Sequence, residues 1–345
     1  MLYTAYTNRI KSVVAENRQR KAHLSKGATI GTISGQLPEV KARLLNEQRE
    51  FSSKAQFGSV DLIAAVNGAS LSGSQLGVHP SFAHLKGTDK TENHWIVSVF
   101  IDIKGSTNLF KDYDLQEIYM ITNTIQAAEI YTVIALGGHV QRLQGDGILA
   151  YFGGRGIDKS EAARMALIAC SLISYFVKND LKDLFLKDGI EEISTRIGID
   201  FGNDADVLWA NFGVDHLSEL TTLSLHTSLA SKMQSNAKPN GVVAGDNIRE
   251  LAPQYREFFS IISEPERYIF RDPAAKFNYT QWAFEWFKFL KKQPFILVNT
   301  DETLSMIKTG APAVLQQQPS ATPDISGLAA MAATNRPYYD DSRKI

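Results

Sequence analysis

Asp102 and Asp146 are the residues in this 345-residue chain best placed to do chemistry. Each stands at the edge of a strand-like run. The first lies in Ser98-Val-Phe-Ile-Asp102-Ile-Lys-Gly-Ser-Thr107. The second lies in Gly137-Gly-His-Val-Gln-Arg142-Leu-Gln-Gly-Asp146-Gly-Ile-Leu-Ala-Tyr-Phe152. Two carboxylates on strand ends, one beside a Gly-Ser-Thr turn, suit a pair of hard divalent cations and a polyphosphate. Magnesium and manganese prefer oxygen ligands and leave positions open for substrate phosphates. A single Asp ending a strand is a common turn-former; the pair is what points to ligation.

The elements that must hold these residues form a mixed α/β pattern from about 94 to 250. Trp95 to Ile101 is a nearly continuous apolar strand of the kind buried on both faces. Leu115 to Leu136 is amphipathic, with Ile118, Ile121, Ile125, Ala128, Val133 and Leu136 near helical spacing, and Gly137-Gly138 ends it. His139 to Leu143 and Ile148 to Phe152 read as two short strands around Gln144-Gly-Asp-Gly147, a tight hairpin. Ser160 to Val177 reads as a helix with Ser160 at its N-cap. Ile193 to Phe201 is a further strand, Ser224 to Ser235 a helix and Val242 to Ala244 a short strand. Residues 265–285 form a candidate hairpin that turns near Asp272-Pro273.

Composition narrows the partners. With 36 basic and 37 acidic residues, no global field favours nucleic acid or an anionic membrane. The one cysteine, Cys170, excludes an intrachain disulfide and a cysteine zinc cage, which fits a reducing cytoplasm. The N-terminus lacks a signal-peptide core. The longest apolar run, Leu167 to Val177, is too short for a membrane helix and reads as a buried helix face. The expected organisation is a helical N-terminal extension over 1–68 and a linker over 69–93. A catalytic domain over 94–290 and a C-terminal segment over 291–345, largely a mobile tail, follow.

Three ordered pieces of the 94–250 block resemble the catalytic domain of class III nucleotidyl cyclases. They are Phe100-Ile-Asp-Ile-Lys-Gly-Ser-Thr107, the Gly137-Gly138 to Gly145-Asp146-Gly147 hairpin, and Arg196-Ile-Gly-Ile-Asp-Phe-Gly202. The resemblance implies an α+β fold with a ferredoxin-like βαββαβ core. It implies two Mn2+ or Mg2+ ions per active site, held by Asp102, Asp146 and the Ile103 carbonyl. It also implies cyclisation of a nucleoside triphosphate with release of pyrophosphate. The turn of Gly105, Ser106 and Thr107 would cradle phosphates, and Arg196 would contact phosphate too. By itself, Arg196 would read as a surface ion pair.

The base-reading positions depart from the purine-using relatives. Four before the second aspartate, where Lys suits adenine and Glu suits guanine, stands Arg142. A second base-reading position aligns with Thr221. Ser228 and Lys232 stand where the family carries Asn and a transition-state Arg; Lys keeps the charge but not the planar fork. Phe100 lies where a ring could pack on the base. Arg142 offers only donors, which suit the carbonyls of uracil, and no acceptor for a cytosine amino group is evident nearby. This pattern resembles the pyrimidine cyclases of the bacterial Pycsar anti-phage system. It implies UTP as the preferred substrate, with CTP and then ATP as alternatives, and a cyclic-nucleotide product read by a separate effector protein. A non-catalytic nucleotide-binding regulator is the reading from another class.

In that family, Asp102 and Asp146 of one chain meet Phe100, Arg142, Thr221, Ser228 and Lys232 of another, which implies a homodimer with two symmetric sites. His139 and His226 read as hydrogen-bonded core or rim residues. The aromatic stretch from Tyr279 to Phe289 reads as packing on the core or a partner. Lys276 is a loosely aligned candidate for the triphosphate.

Overall fold

In a computed structural model, residues 2–25, 76–187, 193–262, 269–272 and 277–307 are described. Residues 26–75 of the expected N-terminal extension and linker, Lys276 and the segment beyond 307 lie outside the described residues.

In chain order, helix α1 (Thr4–Ser25) is followed by a single-turn segment at Pro80–Leu85 and strands β1 (Glu92–Asn93) and β2 (Ile96–Lys104). Helix α2 (Leu115–Ala135), strands β3 (His139–Gln144) and β4 (Gly147–Phe152), helices α3 (Lys159–Tyr175) and α4 (Lys182–Leu186) and strand β5 (Ser194–Gly202) come next. A hairpin of β6 (Val207–Val214) and β7 (Leu217–Ser224) leads into α5 (Leu225–Asn236). The remainder is β8 (Gly241–Gly245), α6 (Asp246–Leu251), β9 (Phe259–Ile261), β10 (Ile269–Asp272), β11 (Phe277–Phe284), α7 (Trp286–Lys291), β12 (Ile296–Val298) and β13 (Leu304–Met306).

The main sheet runs β10-β11-β8-β5-β2-β4-β3, with β9 also on β11. Within it, the unit β2-α2-β3-β4-α3-β5 has the spatial order β5-β2-β4-β3, all antiparallel. That is the order of a ferredoxin-like unit, as the sequence leads one to expect. Strand β8 adds to β5 in parallel.

Strand β2 shows no polar–apolar alternation because both its faces are covered. Val97, Val99, Ile101 and Ile103 enter a core shared with α2 and α3. Ile96 and Phe100 enter a second core with Phe82, Leu149, Tyr151, Trp209, Leu220 and Ala230. Helix α2 starts on a capping box: Asp114 accepts from the Gln116 and Glu117 backbones, and Glu117 accepts from the Asp114 N–H. Helix α3 is capped by Asp158, not Ser160. The aspartate reaches the Glu161 N–H at 3.0 Å, while the Ser160 hydroxyl is spent on the Leu251 carbonyl.

Two segments pack on the domain in ways the sequence reading did not specify. Residues 76–93, expected as linker, pack into the fold: Phe82 is fully buried and stacks on Trp209 at 4.0 Å. Helix α1 lies along α2. Tyr3 and Thr132 share a hydroxyl hydrogen bond of 2.8 Å, and Arg20 pairs with Asp114 and Glu117 at 2.9 and 2.7 Å. The stretch Lys159–Leu186 is long and apolar enough to cross a membrane, yet 83% of its apolar window is buried inside the fold, as a core helix requires. The aromatic run 279–289 divides into β11 and α7, with Phe289 and Leu290 fully buried.

Candidate active site

Gly145 and Asp146 are the two residues that turn β3 into β4, since Gln144 pairs directly with Gly147. Gly145 takes φ +63, as the first position of a tight hairpin turn requires. Gly147 then lies flat against β2: a Cβ there would overlap the Ile101 carbonyl oxygen and stand 3.3 Å from the Asp102 Cα. This close approach brings the two aspartates together at one corner. From α2, the Gln126 amide donates to the Gly145 carbonyl at 3.0 Å and fixes the turn.

The corner is short of positive charge. Asp146 Oδ2 is buried with no hydrogen-bond partner among the described residues. Glu129, one turn after Gln126 on α2, is fully buried, and neither of its carboxylate oxygens has a partner there. Burial, then the charges of Asp146 and Asp102, push its carboxyl well above the usual range. Glu129 was not legible in the sequence, where it sits in an otherwise apolar helix. Asp102 pairs across the strands with Arg196 and accepts from Gln234 at 3.1 Å. Arg196 therefore sits beside Asp102, with its other terminal nitrogen 3.4 Å from the Ser235 carbonyl and its Nε without a partner among the described residues. An all-oxygen donor set with an orphaned buried carboxylate oxygen fits a hard cation. No three acidic, imidazole or thiol groups among the described residues converge into a closed cage.

Beyond Asp102 the chain turns through Gly105 at φ +92 into a short 3-10 segment, Ser106–Lys111. The Ser106 hydroxyl lies 3.5 Å from the Ile103 carbonyl, and Thr107 is in the first turn.

A second corner lies on β3 and β7. Arg142 forms a two-pronged pair with Glu219, with Nε donating to Oε1 at 3.1 Å and the terminal nitrogen to Oε2. Gln141 donates to the same Oε1 at 3.0 Å. Glu219, two residues before Thr221, is thus the acceptor that the sequence reading did not find. Thr221 and Thr222 instead meet the Tyr151 hydroxyl at 3.3 and 3.0 Å. Phe100 is 9% exposed and packed in the second core, so within this chain its ring is a wall rather than an open platform. At roughly one-third exposure, the Arg142–Glu219 pair is worth only about 0–1 kcal/mol to stability. Its geometry matters more than its energy.

Helix α5 is anchored from below. Buried Asp200 accepts from Tyr279 Oη at 2.6 Å and meets His226 Nδ1 at 2.9 Å, and the Ser98 and Thr227 hydroxyls bond at 2.9 Å. His226 is accordingly a hydrogen-bonded core residue. His139 is buried too, with its Nε2 unpartnered among the described residues. With that face held, Ser228 and Lys232 stand one turn apart on the exposed face. The Ser228 hydroxyl donates back to the Ser224 carbonyl at 3.0 Å.

The sheet order is that of a class III nucleotidyl cyclase catalytic domain, and that is the fold of this chain. Its sequence resembles pyrimidine cyclases in particular. It is 38% identical over 222 residues to a cytidylate cyclase from Staphylococcus aureus, covering 62% of this chain and 52% of the relative. A cytidylate cyclase from Escherichia coli is 32% identical over 203 residues, covering 56% of this chain and 44% of the relative. The chain thus spans about half the length of the curated relatives it matches. Among solved structures, the adenylyl cyclase CyaB of P. aeruginosa aligns with a TM-score of 0.47 at 18% identity, covering 56% of this chain and 95% of the other. The guanylyl cyclase Cya2 aligns at 0.45 and 16%, covering 57% and 93%. No family model matches the chain.

Proposed function

We propose that this chain cyclises a pyrimidine nucleoside triphosphate, CTP, to 3′,5′-cyclic CMP and pyrophosphate. The observation that brings CTP within reach is the Arg142–Glu219 pair. Glu219 offers an acceptor for the 4-amino group of cytosine, beside a guanidinium that donates to N3. The same pair can meet uracil in the opposite order, and the adenine edge repeats the cytosine pattern. The resemblance to two relatives named cytidylate cyclase tips the reading to CTP, the sequence's second choice, over UTP.

In the reaction, the ribose 3′-oxygen bonds to the α-phosphorus and its proton passes to solvent. The bond from the α-phosphorus to the β-bridging oxygen breaks, and pyrophosphate leaves. Asp102 and Asp146, with the Ile103 carbonyl, would hold two Mn2+ or Mg2+ ions. When bound, these neutralise the triphosphate and make the 3′-hydroxyl more acidic. Arg196 stands beside Asp102, ready to contact phosphate, next to the turn of Gly105, Ser106 and Thr107.

Lys232 and Ser228, on the open face of α5, would serve the site of a second copy, Lys232 by placing positive charge near the phosphates as charge develops. A homodimer is supported by the apolar stripe on the β6–β7 hairpin, where Phe212, Val214, Leu217 and Leu223 are 41–88% exposed. The reading extends to a cytoplasmic second messenger taken up by a separate effector protein in anti-phage defence, on the Pycsar resemblance.

The test is incubation of the purified chain with CTP, UTP, ATP or GTP and Mn2+, with products identified by mass spectrometry. Cyclic CMP is expected as the main product. Cyclic UMP in its place would restore the preference read from the sequence, and consumption of ATP alone would overturn the pyrimidine assignment.

A further inference from the structure

The β3–β4 ladder is not regular. Val140 pairs with Ala150, but the next paired residue is Arg142, opposite Leu149, so Gln141 is an extra residue in the strand. In a regular strand, neighbouring side chains point to opposite faces, and Gln141 would point away from whatever Arg142 reaches. The bulge cancels that alternation. Both side chains arrive at one carboxylate: the Gln141 amide at 3.0 Å and Arg142 Nε at 3.1 Å, each on Glu219 Oε1.

Gln141 is 1% exposed, and its amide nitrogen also donates to the Leu220 carbonyl at 2.8 Å. Its own oxygen is buried with no partner among the described residues. An unpartnered buried oxygen is a cost to folding. It is accepted here because both N–H groups are committed to the β7 backbone and to Glu219. Reversing the amide would set its oxygen against the carboxylate. Gln141 therefore ties Glu219 to the strand backbone. Arg142, on a part-exposed stem, shares the carboxylate with this buried donor.

We propose that Gln141 is a specificity-determining positioning residue. Through the bulge, it fixes Glu219 in the orientation that reads the base, so the choice among nucleotides rests on Gln141, Arg142 and Glu219 together. The proposal rests on the reading of this chain as a pyrimidine cyclase and names the device that sets its base preference.

The experiment is steady-state kinetics of the full chain and Gln141→Met with CTP, UTP and ATP in Mn2+. Thermal melting and Mn2+ binding are followed on the same samples. Met keeps the length and removes the donor. The expected result is a KM for CTP raised about tenfold and a preference for CTP over UTP and ATP reduced about tenfold, with kcat within about threefold. Mn2+ affinity should be unchanged. Gln141→Asn, which stays polar but falls short of Glu219, should shift selectivity in the same direction and stands in if the Met variant does not fold. In a Glu219→Gln background, Gln141→Met should change selectivity no further. A folded variant with the wild-type ratio among nucleotides, or an equal loss of kcat with all three, overturns the proposal. Wild-type protein that cyclises no pyrimidine overturns the functional reading itself, and the proposal with it.

Discussion

The two corners of the site are built on opposite principles. At the Asp146 corner, Asp102 pairs with Arg196, and buried oxygens of Asp146 and Glu129 are left without hydrogen bonds among the described residues. At the Arg142 corner, Glu219 is fully engaged, with three donor contacts from two side chains. One corner is electrostatically incomplete and becomes favourable only when positive charge arrives. The other is complete in the chain alone and presents a fixed pattern of donor and acceptor. Under the proposed function, turnover would depend on what is bound at the first corner, and selectivity on what is already bonded at the second.

Neutralising each corner should break this comparison or sharpen it. Asp146→Asn should lower turnover by a factor of about 1,000 or more, measured by pyrophosphate release. Without divalent ions it should also raise the melting temperature by about 2–4 °C, since it replaces a carboxylate whose Oδ2 is buried without a partner among the described residues. Glu219→Gln should do neither: it should leave turnover with the preferred base within reach of wild type and give no gain in stability. If both variants move melting the same way, the two corners are not electrostatically distinct.

Loading with Mn2+ gives the next largest effect. At 100 times its dissociation constant, the ion should stabilise the wild-type protein by about 2.7 kcal/mol in calorimetry. The gain should vanish in Asp146→Asn and persist in Arg142→Ala.

Acid should strike from behind the second corner. Burial lowers the His139 pKa from the usual 6.5 to about 4, and burial, then the neighbouring His139, lowers that of His79 well below its usual value. A histidine depressed by folding binds its proton first in the unfolded chain. His139 therefore gives full stability above about pH 6.5 and loses it as pH falls toward 4, a loss of roughly 3 kcal/mol. The difference in urea-unfolding stability between the wild-type chain and His139→Gln, followed from pH 7 to 4.5, should show that slope.

The smallest effect is expected at the start of α2. Arg20→Ala removes ion pairs to part-exposed Asp114 and buried Glu117, and should cost about 1 kcal/mol in the same assay with little change in turnover.

The two corners also differ in how far the sequence discloses them. Asp102 and Asp146 were legible because a tight Gly-Asp hairpin and a buried strand end leave strong local signals. The helix after Asp102 was legible from its spacing. Glu219 was not: the β6–β7 hairpin that carries it alternates weakly and ends in exposed apolar residues, so the strand was not seen and Thr221 took its place. Gln141 was hidden by the bulge, since one inserted residue reverses the inside–outside reading of a strand. Glu129 was hidden because a pattern of apolar positions does not say which intruding polar residue faces inward.

Gly147 gives the aspartate corner a peculiar genetic fragility. A single methyl group there has nowhere to go but into the Ile101 carbonyl. Gly147→Ala would keep every ligand, every charge and every base-reading contact, yet part the strands that set the distance between the aspartates. The most economical way to silence this chain is therefore a mutation that removes no functional group at all. A screen for inactive alleles should recover it alongside the aspartates.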